Sequence, residues 1–175
     1  MSREIEIEKT YLASFLPKDI KKCEFKEMLD IYIPKHSRHA KLRIRKSGPT
    51  HVITKKTVIS KNNCSTQLEE HINITEDEFK SFMKIGGNRV SKTRFYYPYK
   101  GQTAEIDVFS GKLKGLVLID FEFKNHEELD NFIMPDFCLA DVTEEEAIAG
   151  GVLSHHTISS IGKVLERYSY KKISL

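Results

Sequence analysis

The sequence predicts an α+β protein built on a closed eight-stranded antiparallel β-barrel, with a polar, charged lumen and helices packed on the outside. Three observations lead to that class. Most of the 175 residues alternate with period two, the mark of strands, and helical periodicity is confined to short inserts. Along each strand one face is ionic and the other apolar. Breakers rich in Gly, Ser and Pro separate neighbouring strands, which makes them antiparallel hairpins or near-hairpins.

The strands fall at Arg3–Leu12, Lys26–Ile33, His39–Lys46, His51–Val58, Thr66–Ile74, Arg89–Tyr97, Thr103–Phe109 and Gly115–Phe123. Residues i, i+2 and i+4 share a face. The first strand sets Glu4, Glu6 and Glu8 against Ile5 and Ile7; the third sets Lys41, Arg43 and Arg45 against Leu42 and Ile44. In the sixth, Lys92, Arg94 and Tyr96 oppose Thr93, Phe95 and Tyr97. Glu105 and Asp107 share a face of the seventh, and Asp120 and Glu122 a face of the eighth. Ser47-Gly48-Pro49 and Lys100-Gly101 turn the chain between strands.

Helices are expected where capping boxes occur. Thr75-Glu76-Asp77-Glu78 leads into Phe79, Phe82 and Met83, and Thr143-Glu144-Glu145-Glu146 carries the same pattern. Asn125–Met134, the stretch after His155 and part of Pro17–Glu24 are further helical candidates.

An antiparallel sheet this long tends to twist and close. Closure with the apolar face outward leaves acidic residues from strands one, seven and eight facing basic residues from strands three, four and six. An outer-membrane barrel has the same inside-out pattern, but the chain shows no signal-peptide h-region and no aromatic girdles, and helical segments interrupt its strands.

The charges nearly cancel: 28 Lys and Arg against 25 Asp and Glu give a formal +3. That balance argues against nucleic acid as a partner, since basic residues should then dominate. No apolar run is long enough to span a bilayer. Cys23, Cys64 and Cys138 are odd in number and widely spaced, which argues against a disulfide framework or zinc cage. The reading is one domain over 1–175, soluble, in a reducing cytoplasm.

Arginines and lysines converging from several strands suit phosphate oxygens. Carboxylates in the same cavity would repel that ligand unless a hard divalent cation lay between them, and oxygen-only ligands favour Mg²⁺ or Mn²⁺. The pairing points to a metal–polyphosphate complex, better matched by a triphosphate than by a monophosphate.

The ordered set Glu6-Ile7-Glu8, Leu42-Arg43-Ile44-Arg45, Ile53-Thr54-Lys55-Lys56, Lys92-Thr93-Arg94, Glu105-Ile106-Asp107-Val108-Phe109 and Asp120-Phe121-Glu122-Phe123 resembles the successive motifs of the CYTH superfamily, the triphosphate tunnel metalloenzymes. The resemblance implies an eight-stranded tunnel that binds triphosphate compounds with divalent metal. Members act as inorganic, thiamine or RNA triphosphatases or as class IV adenylate cyclases. It implies metal ligation by Glu6, Glu8, Asp120 and Glu122, with Asp107 counted among them, and phosphate binding by Lys41, Arg43, Arg45, Lys56, Lys92 and Arg94. Glu122, Glu8 and Glu69 are the implied catalytic carboxylates. Lys56 is preferred to Lys55 because it shares parity with Thr54; Glu69 and His71 point inward, with Glu70 as rival if a bulge shifts the register. The family's E-x-E-x-K is incomplete, since Thr10 stands at the lysine position and Lys9 has the opposite parity. The activity implied is that of an Mg²⁺- or Mn²⁺-dependent triphosphatase, inorganic tripolyphosphate being preferred over thiamine or nucleoside triphosphates. Cyclisation of ATP and binding without turnover are the rivals.

Other signals are discounted. His155-His156 lacks metal-ligand spacing and reads as a solvated helix start, and Gly150-Gly151 reads as a helix terminator. Tyr170-Lys171-Lys172 reads as a solvated end, and no His–Asn pair can be placed beside Cys64 or Cys138 for nucleophilic catalysis.

Overall fold

A computed structural model of the protein describes residues 2–60 and 63–175; the side chains at 60, 63 and 64, Cys64 among them, lie outside the description. Among the described residues the strands are β1 (Ser2–Ala13), β2 (Phe25–Ile33), β3 (Leu42–Ser47), β4 (Thr50–Ser60), β5 (Asn63–Asn73), β6 (Asn88–Tyr99), β7 (Gln102–Phe109), β8 (Val117–Glu122) and β9 (Cys138–Asp141). Their order is β5-β4-β3-β2-β6-β7-β8-β1-β9, and an added β5–β1 pairing closes an eight-stranded antiparallel ring. β1 makes the closure. Its first half, Ser2–Ile7, pairs with β5, and Glu8–Leu12 pairs with β8.

The apolar faces point outward and are covered there, which settles the alternation in favour of the inside-out barrel. Tyr11, Phe95, Ile106, Ile119 and Phe121 pack under Ile20 and Phe137, with Leu129 and Phe132 against them. On the opposite wall helix α1 (Glu76–Ile85) lays Phe79, Phe82 and Met83 over Ile31 and Ile44. α1 opens on the expected capping box: Thr75 Oγ1 accepts from the Glu78 amide at 3.3 Å, and Glu78 Oε2 accepts from the Thr75 amide at 2.7 Å. Thr75→Ala removes both an acceptor and the reciprocal geometry, and should lower unfolding stability by about 1 kcal/mol in a urea titration.

Several local expectations are corrected. β9 was not foreseen; its four residues are too few to show alternation, and it forms only because β1 offers an edge beyond β5, pairing Tyr11 with Asp141 and Leu12 with Ala140. The second capping box does not cap. Thr143 spends its amide and hydroxyl on Asp141 Oδ1, at 3.0 and 2.6 Å, and its oxygen accepts from the Thr10 amide, so no α-helix starts there and a 3-10 turn at Glu146–Ile148 follows. The helix expected over Asn125–Met134 shortens to α2 (His126–Asp130), and Pro17–Glu24 holds a 3-10 turn at Ile20–Lys22.

Gly150-Gly151 opens rather than ends a helix, α3 (Gly150–Leu153). The reason is close approach: a Cβ on Gly150 would lie 2.3 Å from the Tyr32 hydroxyl, and one on Gly151 would lie 2.2 Å from the Ala40 carbonyl. His155 sits in the turn that follows, 2.8 Å from the Ser37 carbonyl, and α4 (Gly162–Arg167) begins later. Tyr170 is anchored, its hydroxyl donating to the Gly115 carbonyl and accepting from the Val117 amide.

This C-terminal segment crosses one end of the barrel. The inward positions there are apolar, and Leu12, Tyr32, Val90, Phe109 and Leu118 pack with Val142, Ile148, Leu153, Ile161 and Leu165. The lumen is therefore ionic along its middle and apolar at this end.

Candidate active site

The lumen is a cavity of about 730 Å³. Every residue singled out as a candidate ligand lines it: Glu6, Glu8, Lys41, Arg43, Arg45, Lys56, Glu69, Lys92, Arg94, Asp107, Asp120 and Glu122. Parity alone accounts for this, since each strand of a closed barrel turns alternate residues inward. Register then sets the neighbours. Glu8 faces Glu122 and Thr10 faces Asp120 across β1–β8; Glu105 faces Asp120 across β7–β8; Lys56 faces Glu69 across β4–β5.

Three ionic groups result. In the first, Arg94 grips Asp107 through Nε (2.7 Å) and Nη2 (2.6 Å), reaches Asp120 at 3.0 Å and also pairs with Glu105. Lys92 completes the hold on Asp107. Burial raises the cost of the Asp107 charge, but Arg94 and Lys92 overcome it and hold the carboxyl at about 2. Burial foremost, with Arg94 and Arg45 nearby, draws the Lys92 ammonium down to about 8. A bidentate guanidinium anchors the Asp107 carboxylate in its charged form.

In the second group Arg45 is bidentate to Asp30, at 2.7 and 2.8 Å. Asp30 is buried and was not singled out in advance. It is the one charge in the run Met28–Ile33, and the Met28 and Tyr32 that share its face hid the inward alternation. In the third group Lys56 touches Glu6, Glu8 (3.1 Å) and Glu69 (2.7 Å). Gln67, also not foreseen, donates to Glu8 at 3.2 Å.

Arg43 stands apart: its nearest carboxylate is Glu69 at 3.9 Å, and its buried Nε has no hydrogen-bond partner. Lys41 is exposed at the rim. His71 places Nδ1 3.1 Å from Thr54 Oγ1 and Nε2 near Glu4 (3.2 Å) and Glu69 (2.9 Å). Lys9 keeps its outward parity and pairs with Asp141 at 3.5 Å, while Thr10 donates to Asp120 at 2.8 Å. Glu70 also stays outside, 4.0 Å from Arg3.

The expected metal ligands are not drawn into one cluster. Among the described residues the set of three whose ligand atoms lie within 4.8 Å of one another is Glu4, Glu69 and His71. Glu6 and Glu8 are held by Lys56, Asp120 by Arg94 and Thr10, and Asp107 is committed to Lys92 and Arg94. The chemistry nonetheless fits a hard divalent cation. The donors are carboxylate oxygens, and partial desolvation followed by repulsion from Glu105, Glu6 and Glu8 pushes Glu122 up to about 7, a local excess of negative charge. Elsewhere, burial and Asp136 raise the Cys138 thiol to about 12, which rules it out as a ready nucleophile.

A closed barrel whose lumen interleaves carboxylates with arginines and lysines defines the tunnel class of β-barrel. Comparison with known proteins agrees. No family model matches the chain. The chain is 35% identical over 107 residues to the inorganic triphosphatase of Nitrosomonas europaea, a stretch covering 60% of this chain and 68% of that protein. A crystal structure of a protein called hypothetical aligns at TM-score 0.65 and 27% identity, covering 87% of this chain and 99% of that one. One of an inorganic triphosphatase aligns at TM-score 0.63 and 27% identity, covering 85% and 93%. The chain belongs to the family of the Nitrosomonas inorganic triphosphatase.

Proposed function

We propose that the protein is a metal-dependent triphosphatase of the CYTH superfamily, a single cytoplasmic domain whose preferred substrate is inorganic tripolyphosphate. The observation that carries this is the lumen itself: Arg43, with an unpaired buried Nε, faces the same cavity as the Glu6, Glu8, Asp120 and Glu122 carboxylates. Kinship to an inorganic triphosphatase supports the substrate class. Among the described residues no helix is long and apolar enough to cross a membrane.

Glu6, Glu8, Glu122 and Asp120 would hold Mg²⁺ or Mn²⁺; Asp107 drops out of the ligand set because two buried cations already own it. A bound divalent cation would neutralise phosphate charge and polarise a phosphoryl oxygen. Of the lumen arginines Arg43, Arg45 and Arg94, Arg43 is the least engaged by carboxylates and serves as the phosphate clamp, with Lys41 collecting the substrate at the rim. Arg45 and Arg94 contribute mainly field, since Asp30 and Asp107 occupy their forks. Glu69 lies buried between Lys56, His71 and Arg43, which suits it to orienting those groups rather than to attacking.

The test is a product assay. Tripolyphosphate, thiamine triphosphate and ATP are incubated with the protein under Mg²⁺ and Mn²⁺, and orthophosphate and cyclic AMP are measured. Metal-dependent orthophosphate, fastest from tripolyphosphate and absent with EDTA, is expected. Cyclic AMP from ATP would make the protein a cyclase, and tight binding with neither product would make it a capture module.

A further inference from the structure

Lys56 was expected on the phosphate chain, but its ammonium is spent on carboxylates. Its Nζ contacts Glu6, lies 3.1 Å from Glu8 Oε1 and lies 2.7 Å from Glu69 Oε1. Two of its N–H donors hydrogen-bond Glu6 and Glu8, and the ammonium is also ion-paired with Glu69, so it is held among three carboxylates and away from a phosphate oxygen. Two of the three, Glu6 and Glu8, are also the carboxylates assigned above to a divalent cation, whose charge there would repel the ammonium that now sits against them.

Lys56 therefore competes with one ligand and is withheld from the other. We infer that Lys56 is an internal counter-cation that a divalent metal displaces from Glu6 and Glu8, and that the displaced ammonium then grips the triphosphate. Metal and triphosphate thus bind with positive coupling carried by this one side chain. The inference rests on the metal–triphosphate reading of the lumen. The side chain suits the part: a four-carbon stem bears a compact charge that moves by bond rotation alone, whereas Arg94 is fixed through Nε, Nη1 and Nη2 on three carboxylates. The strand stays in place meanwhile, because β4 is held on both edges, Lys56 opposite Glu69 on one side and Thr54 opposite Arg43 on the other. Linkage makes the coupling reciprocal: a phosphate chain that draws Lys56 away unmasks Glu6 and Glu8 for metal.

Calorimetry on the wild type and Lys56→Gln tests this without turnover. Mn²⁺ is titrated into each protein alone; the bis-methylene analogue of tripolyphosphate, which cannot be hydrolysed, is titrated into each with EDTA and with saturating Mn²⁺. The variant should bind Mn²⁺ roughly tenfold more tightly than the wild type, since no ammonium has to leave. With EDTA the two should bind the analogue equally, and with Mn²⁺ the wild type should bind it roughly tenfold more tightly than the variant. Equal Mn²⁺ affinities, or the same loss of analogue affinity with EDTA as with Mn²⁺, would overturn the inference and leave the functional reading standing. A wild type that binds neither Mn²⁺ nor analogue would overturn both. If Lys56→Gln does not fold, wild-type crystals grown with and without Mn²⁺ decide: Nζ is expected to leave Glu6 and Glu8 when the ion is bound, and Nζ still on both overturns the inference.

Discussion

Glu122→Gln is expected to fold normally and to lose metal-dependent hydrolysis of tripolyphosphate by roughly 10²- to 10³-fold in kcat/KM, the size of effect seen when one preorganised charge partner is removed from an active site. Normal folding is expected because the native carboxylate is under repulsion. Glu8 lies directly across the β1–β8 ladder from it, and like charges placed opposite one another destabilise a sheet. Withdrawal from water, then Glu105, Glu6 and Glu8, push its pKa up to about 7. An amide of the same shape removes that repulsion, so the melting temperature should hold or rise. The loss falls on the metal: a neutral oxygen attracts a hard divalent cation far less than a carboxylate does. Thermal unfolding and steady-state phosphate release at several Mn²⁺ concentrations separate the two effects. Wild-type turnover in the variant would remove Glu122 from the site.

The second large effect is structural. Asp30→Asn should lower unfolding stability by about 3–5 kcal/mol, because breaking a buried ion pair from one side strands the other charge. The stranded group is Arg45, whose side chain is 12% exposed, among Arg43, Lys92 and Arg94 in the same lumen. Burial works against the Asp30 carboxylate, but the Arg45 charge and hydrogen bonds prevail and hold its pKa well below the usual carboxylate range. The sign of the pH dependence follows. A folded-state value below the unfolded value of about 3.9 means that the unfolded chain binds more protons, so this stabilisation is complete above that value and is lost as pH falls toward the folded one. Urea titrations at neutral and acid pH should therefore show the gap between wild type and Asp30→Asn narrowing as pH drops. The double variant Asp30→Asn with Arg45→Met should recover much of the loss; no recovery would mean that packing, not charge, is the cause.

The alternation of charges along the strands was legible wherever a strand kept one sign on one face. Glu6 and Glu8, Arg43 and Arg45, Lys92 and Arg94, and Asp120 and Glu122 could all be assigned to one wall of a barrel by parity, and they share one cavity. Asp30 escaped because Met28 and Tyr32, on the same face, read as apolar. The Thr75 capping box worked because α1 is exposed and its first turn answers to local hydrogen bonds. The Thr143 box failed because Asp141 and the β1 backbone claimed the same hydroxyl. Gly150-Gly151 was misread for a related reason: the spacing needed is to Tyr32 and Ala40, more than a hundred residues away in the chain.

By itself the sequence determined the eight strands of the ring, the inward faces of those that carry like charges and the segregation of acid from base, because period-two geometry is a local property of the backbone. The pairing of the charges was decided by tertiary structure. Which carboxylate meets which cation depends on the shear of the closed ring, and that is how Lys56 came to Glu6, Glu8 and Glu69, how Asp107 was withdrawn from the metal, and how Arg43 was left with an open donor. Coulomb energy and hydrogen-bond capacity depend on distances across strands far apart in sequence, and no pattern along one strand contains them.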